Sequence, residues 1–257
     1  MEEHHSILYE PVNRLLIALL GEPPVAKVEA VSPALAHFLF PAGTHAWIPD
    51  AAIMVLLLLL FFVTFFPIVS RRYSKTSPSK TQTFLEAVVS FLRGMIDEAI
   101  GHGSERKYLP IFGAFFVFIA AANLMGVFFF LQPPTGAIST TVALALVSFV
   151  YFNHQGIREH GVLGYLKHFL GPMLLIAPMF FVIEIIGTFA RILSLSLRLF
   201  MNIAGEHATV GVFSSLVPIL VPLPIMALGL FTALLQAYVF TILSTTYVGI
   251  ATAHEEH

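Results

Sequence analysis

The chain has 257 residues, 57% of them hydrophobic and 11% charged, with a formal net charge of -2 and a mean hydropathy of +0.86. Soluble domains carry roughly a quarter charged residues, so this composition excludes an ordinary soluble domain and describes a polytopic membrane protein. With no cysteine there is no disulfide framework and no thiolate metal site, and the sequence holds no phosphate loop, dinucleotide fingerprint or zinc-protease helix.

Residues 1–49 are mixed in polarity and punctuated by Pro23, Pro24, Pro33, Pro41 and Pro49, which reads as an extramembrane or interfacial arm. The apolar run Leu15 to Leu20 is too short for a signal peptide, and Glu2 and Glu3 stand where a signal is basic. A short interfacial helix, stopped at Gly21-Glu22-Pro23-Pro24, is predicted there. Residues 50–257 form the membrane domain. Asp50 is placed as the cap of a first span over 51–69, a charge-free stretch long enough to cross at ~1.5 Å per residue. Arg71, Arg72, Lys75 and Lys80 follow it.

Over 81–101 the residues Phe84, Leu85, Val88, Val89, Phe91, Leu92, Met95 and Ile96 recur at helical spacing, with Glu86, Arg93, Asp97 and Glu98 among them. This is an amphipathic helix for the membrane surface or for partner helices, ended by Gly101 and Gly103. Residues 109–152 read as a helical hairpin: a second span to Leu131, a turn at Gln132–Gly136, and a third span over Ala137–Phe152. Asn153–His168 is predicted as a polar loop. Residues 169–253 hold two apolar stretches broken near Pro218, Pro222 and Pro224. Each is too long for one span, since about 40 residues of helix reach ~60 Å against a ~30 Å core. Such helices tilt strongly or lie partly along the membrane.

The predicted fold class is therefore all-α. It has about five membrane helices, the last two long and steeply tilted as a hairpin, plus one amphipathic interfacial helix. Arg71, Arg72, Lys75, Lys80, Arg93, Arg106, Lys107, Arg158 and Lys167 fall on one side of such a topology, and only Arg14 and Lys27 on the other. The basic side is cytoplasmic. That places the N-terminus outside and the C-terminus in the cytoplasm.

From Phe169 to Ala253 only Glu184, Arg191, Arg198 and Glu206 are charged. Positions seven apart on a helix differ by only about 20°, so Glu184, Arg191 and Arg198 share one stripe. Ser194 and Asn202, four residues before and after Arg198, lie near it. A guanidinium at bilayer depth is expensive and faces a partner or a hydrated cavity, and it does not release its proton. Glu184 and Arg191 can also pair as a structural link between helices. Glu206 and His207 suit proton transfer, both titrating when partly desolvated, or they cap a local break at Gly205. Gln236 is the one strongly polar group in the middle of the last stretch. Ser244, Thr245, Thr246 and Tyr247 either line a hydrated path or bond back to helix carbonyls. His154, His160, His254 and His257 read as solvated surface rather than metal ligands.

The run Ser194-Leu195-Ser196-Leu197-Arg198-Leu199-Phe200-Met201-Asn202-Ile203-Ala204-Gly205-Glu206 and the later Leu235-Gln236-Ala237-Tyr238-Val239-Phe240 resemble subunit a of the rotary F-type ATP synthase. Weaker agreement covers Ser79 to Glu86 and Asn123-Leu124-Met125-Gly126. The resemblance implies that Arg198 is the essential stator arginine, that Gln236 is its neighbour on the last helix, and that Asn202 and Glu184 occupy family positions. It implies a channel domain with two offset aqueous half-channels beside a rotating c-ring, whose membrane carboxylates carry protons from one to the other. It further implies peripheral-stalk b subunits as partners and an energy-coupling membrane, the bacterial cell inner membrane, as location.

In such a scheme the fixed charge lets a ring carboxylate stay ionised between the half-channels and blocks a direct proton leak. Lysine, which loses its charge more readily on burial, is a poor substitute. Two departures stand out. Relatives often carry the carboxylate or histidine nine residues after the arginine, where Glu206 stands at eight and His207 at nine. They also often carry Glu or His seven residues before the glutamine, where this chain has Gly229. No bond chemistry, cofactor or nucleic-acid partner is implied. The alternative is a secondary ion-coupled transporter in which Arg198 binds an anionic solute.

Overall fold

The computed structural model describes residues 7–20, 49–75, 77–126, 131–170, 177–216 and 222–253. The readings of residues 21–48, of the end of the second span at 127–130, of the break at Pro218 and of the C-terminal histidines lie outside these.

The described residues form seven α-helices and one 3-10 turn, with no strand among them. The first two helices, α1 (Tyr9–Leu20) and α2 (Asp50–Ser70), meet in a small cluster where Tyr9, Ile53, Met54 and Leu58 pack with Ala122 and Met125. Asp50 is the first helical residue of α2 rather than its cap, which is Pro49. Its negative charge suits the N-terminal end of the helix dipole. Most of α2 beyond that cluster is exposed, including Leu60, Phe61, Val63 and Phe66. An apolar exposed surface this extensive suits lipid or partner contact.

Ser79 starts α3 (Lys80–Ile100) by accepting the Gln82 N–H on its hydroxyl at 3.2 Å. The helix ends where Gly101 (φ 125°) and Gly103 (φ 84°) take backbone conformations that disfavour any side chain. Its buried residues, Gln82, Leu92, Met95 and Ile96, form the inner face of the predicted amphipathic helix.

The hairpin comprises α4 (Glu105–Met125), a 3-10 turn at Pro134–Gly136, and α5 (Ile138–Leu170). It extends beyond the predicted spans. α4 begins four residues before Leu109, with Glu105 in its first turn. Helical structure continues through the predicted loop in two segments, since Gly161 (φ 71°, ψ 166°) leaves the helical conformation and breaks α5 there. Polarity ends a membrane span but not a helix. The residues after Phe152 fold back on themselves, the Tyr165 hydroxyl donating to Asn153 Oδ1 at 3.0 Å.

The last two helices are α6 (Ala177–Leu216, 40 residues) and α7 (Pro222–Thr252, 31 residues). At ~1.5 Å per residue they reach ~60 Å and ~46 Å. Both exceed the bilayer core, as predicted. By length and composition α2, α4 and Leu223–Thr252 of α7 are each able to cross a membrane. The main core joins α3 through α7, with Phe112, Ile119, Leu199, Phe240 and Val248 among its buried side chains.

Candidate functional site

α6 has two sides. Leu195, Ser196, Leu199 and Ile203 are buried against the core. Arg198 lies on the exposed side. At about 100° per residue, Ala190, Ser194, Met201, Gly205 and Ala208 lie within a quarter turn of it, and all are exposed. Nothing stands within 4 Å of where a side chain at Gly187 or Gly205 would begin. The guanidinium thus sits on a face built mainly of small residues, which allows another helix to approach closely.

The two arginines of the stripe differ in their surroundings. Arg191 Nη1 pairs with Glu184 Oε1 at 3.2 Å, and its guanidinium lies 5.7 Å from the centroid of the Tyr247 ring on α7. Arg198 Nη2 donates to Ser194 Oγ at 3.4 Å, a long bond. Among the described residues no carboxylate pairs with it. Ser194 is exposed beside it. Of the cations on this stripe, Arg198 is the one left for a charge from outside.

Two amide donors, one on α6 and one on α7, are buried. Asn202 Nδ2 and Gln236 Nε2 make no hydrogen bond, and Gln236 is only 6% exposed. No hydrogen bond joins Arg198 to Gln236, because the guanidinium turns along its own helix to Ser194. Buried donors without partners are uncommon, and each is able to donate to a water or to an incoming acceptor.

Glu206 and His207 point to different neighbours. The Glu206 carboxyl crosses to α7 and fills the place a side chain at Gly229 would take; a Cβ there would overlap it. His207 Nε2 instead stands 3.3 Å from where a Cβ at Gly126 would lie, at the end of α4. Adjacent residues are about 100° apart on a helix, so they face separate elements rather than each other.

Sequence reasoning missed the tie that fixes α7 in register. Asn123 Nδ2 donates to the Ala233 carbonyl at 3.1 Å, and the Thr135 hydroxyl donates to Asn123 Oδ1 at 2.7 Å. Ala233 lies one turn before Gln236, so this tie sets the depth of the amide. The signal was a lone Asn in an apolar helix followed by a Pro-Pro-Thr-Gly turn. Of Ser244, Thr245 and Thr246 nearer the end of α7, two follow the local option and one bonds across to α5. Thr245 and Thr246 bond to the Thr241 and Ile242 carbonyls at 2.8 Å, and Ser148 Oγ donates to Ser244 Oγ at 2.9 Å.

Comparison with known proteins is consistent along most of the chain. The ATP synthase A chain family matches residues 51–249. A protein named ATP synthase subunit a from Geotalea daltonii is 39% identical over 213 residues, 82% of this chain and 91% of that one. Its counterpart in Sulfurihydrogenibium sp. is 39% identical over 205 residues, 80% of this chain and 98% of the other. That of Trichlorobacter lovleyi is 38% identical over 228 residues, 88% and 95% of the two chains.

Proposed function

The chain belongs to the ATP synthase A chain family, and on that premise we propose that it is the proton-conducting stator subunit of the rotary F-type enzyme. It is an integral membrane subunit concerned with ion transport and ATP synthesis. In the proposed mechanism it makes or breaks no covalent bond apart from proton transfers. It provides two half-channels that load and unload the carboxylates of a rotating c-ring, with peripheral-stalk b subunits holding it against rotation. Its proposed place is the bacterial cell inner membrane, N-terminus outside and C-terminus cytoplasmic, since the basic residues outside the apolar stretches gather on one side of the expected topology. Family membership speaks against the transporter alternative.

The observation that carries this reading is Arg198, an unpaired cation on an exposed face of small residues. An ionised carboxylate at mid-membrane costs about 2.5–3.5 kcal/mol on insertion scales. A guanidinium about 4 Å away returns about 4 kcal/mol at an effective dielectric constant of ~20. The two magnitudes nearly cancel. A ring carboxylate passing Arg198 is thus held ionised without being trapped. Asn202 and Gln236 offer N–H donors to the same carboxylate or to water beside it. Glu206 is proposed as the titrating group of one half-channel, with His207 at its margin. The Glu184–Arg191 pair and Ser194 hold the polar stripe in shape.

The test is Arg198→Ala in the assembled enzyme in inverted vesicles. ATP-driven proton uptake, followed with a pH-sensitive dye, is expected to fall to background while the soluble sector still hydrolyses ATP. Persistent coupled uptake overturns the assignment.

A further inference from the structure

A cavity of about 680 Å³ lies between α2, α3 and α4, away from the polar residues of α6 and α7. Its wall is apolar almost throughout, with Leu59 and Phe66 from α2, Leu85 and Leu92 from α3, and Gly113 and Phe118 from α4. Its volume falls in the ~300–1,000 Å³ range of ligand-sized sites. From Leu59 to Ser70 it follows α2 for about 16 Å at ~1.5 Å per residue, so it is elongated along a membrane helix. Phe66, Val89 and Tyr73 on its wall remain 42%, 37% and 50% exposed, so the cavity opens sideways to its surroundings.

The chemistry changes at one end. Ser70 and Tyr73 both line the cavity, so the backbone of Arg71 and Arg72 passes directly along its mouth. Lys75 and Lys80 follow, and all four cations are exposed. Among the described residues none of the four is in an ion pair. In the stretch from Ser70 to Glu86 the only carboxylate is Glu86, and it already accepts a hydrogen bond from Gln82 Nε2 at 2.8 Å. Four cations thus face one engaged carboxylate at the polar end of an apolar slot.

We propose that this cavity binds one anionic phospholipid of the leaflet on the Arg71–Lys80 side, an acyl chain lying along α2 and the phosphate held by Arg71 and Arg72. Neither feature alone selects an occupant. An apolar slot accepts any acyl chain or a partner helix, and a basic segment attracts any anionic surface. An anionic lipid satisfies both at once, because it carries a chain and a fixed negative charge on one molecule. Basic clusters immediately beyond a membrane helix recognise such headgroups. Gly113 and Ala114 keep the slot open, where larger residues on α4 would close it.

The test uses the complete ATP synthase complex in phosphatidylcholine vesicles with a trace of diazirine-acyl phosphatidylglycerol or diazirine-acyl phosphatidylcholine. After illumination, lipid adducts are mapped on tryptic peptides. The glycerol lipid is expected to label the Phe62–Phe66 and Leu109–Val117 segments several-fold above the choline lipid. In Arg71→Gln/Arg72→Gln that preference falls by roughly fivefold per charge removed, with ATP-driven proton uptake unchanged. Both arginines are exposed, so the variant is expected to fold.

Equal labelling by the two lipids overturns the proposal, leaving only ordinary annular lipid. A preference that survives the double substitution overturns it too. The chain has no cysteine, so Val117→Cys gives a single thiol inside the cavity. Its disulfide cross-linking, under copper phenanthroline oxidation, to a second cysteine introduced into a stalk helix, with no lipid label on these segments, assigns the cavity to a protein partner and sinks the lipid.

Discussion

Gly229 decides whether Glu206 has a place on α7. The three atoms nearest to an added Cβ are Oε1, Cδ and Oε2 of Glu206, so the collision falls entirely on one carboxyl group. That group is the far end of a flexible side chain and can swing aside. Gly229→Ala therefore has two separable effects. On stability, the helix gains ~0.5–1 kcal/mol from replacing glycine and loses at most the ~1–3 kcal/mol typical of overpacking. The complex is expected to assemble in near-normal amount. On function, the carboxyl is displaced by about the size of a methyl group. Proton transfer needs hydrogen-bond contact, and a misplacement of ~1 Å is enough to lose up to ~10²-fold in rate.

ATP-driven proton uptake in inverted vesicles, normalised to the amount of assembled complex, is thus expected to fall roughly tenfold or more. The stronger form is a swap. Glu206→Gly empties the space, and Gly229→Glu crowds two like charges into it, so each alone is expected to be severely impaired. Together they return one carboxyl to the same volume from the opposite helix and are expected to recover most of the uptake, a coupling that independent sites do not show. Wild-type uptake in Gly229→Ala, or a swap no better than Glu206→Gly alone, refutes the reasoning.

Other outcomes follow from the same geometry. Glu206→Gln is expected to remove most proton uptake, whereas His207→Ala, which faces α4 rather than Gly229, leaves most of it; intact uptake in both ends the proposal for this pair. Asn123→Leu strips the partner from the Thr135 hydroxyl, which is 0% exposed, and is expected to cost about 1–3 kcal/mol, read as a lower thermal midpoint of the purified complex. Adding Thr135→Val is expected to recover part of that loss, and no recovery argues against the tie. Arg191→Gln breaks a pair whose side chains are 29% and 34% exposed. It is expected to cost at most ~1 kcal/mol and to retain uptake. A loss as deep as that of Arg198→Ala moves Arg191 into the ion path.

The fold was legible where its cause is one-dimensional. The charge-free run after Asp50, the helical spacing from Phe84 to Ile96 and the overlong stretches at the end each depend on residues close in sequence, and the observed helices match them. The helical structure on both sides of Gly161 within Asn153–His168 was hidden because polar composition marks the limit of a membrane span while helix formation beyond it depends on packing, here of Tyr165 on Asn153. At the site, the heptad spacing placed Arg198 and Glu184 on one stripe. It also made the Glu184–Arg191 pair possible, which the structure shows. The Tyr247 ring beside Arg191 was not legible, because it comes from another helix. Gly229 looked like a missing carboxylate, and only the crossing of α6 and α7 reveals that the Glu206 side chain occupies the space.

Along α6 the ionisable groups are sorted by position. Arg198 lies ~12 Å along the axis from Glu206 and ~21 Å from Glu184 at ~1.5 Å per residue, one carboxylate toward each end of the helix. Glu206 is turned across to α7 at Gly229, while Glu184 is committed to Arg191. In the proposed mechanism this order matters more than any one residue. A proton leaking along α6 from the Glu206 end to the Glu184 end has to pass a guanidinium that no carboxylate of the described chain neutralises. It also has no short route through the helix interface, because Leu195, Leu199 and Ile203 seal that side. The remaining route lies on the outward face, where the residues beside Arg198 are small and a carboxylate carried by another helix can come close. A carrier that arrives there ionised leaves again without a proton. Charge can therefore cross this point only as the movement of the partner. In the proposed mechanism that condition turns a downhill proton current into rotation.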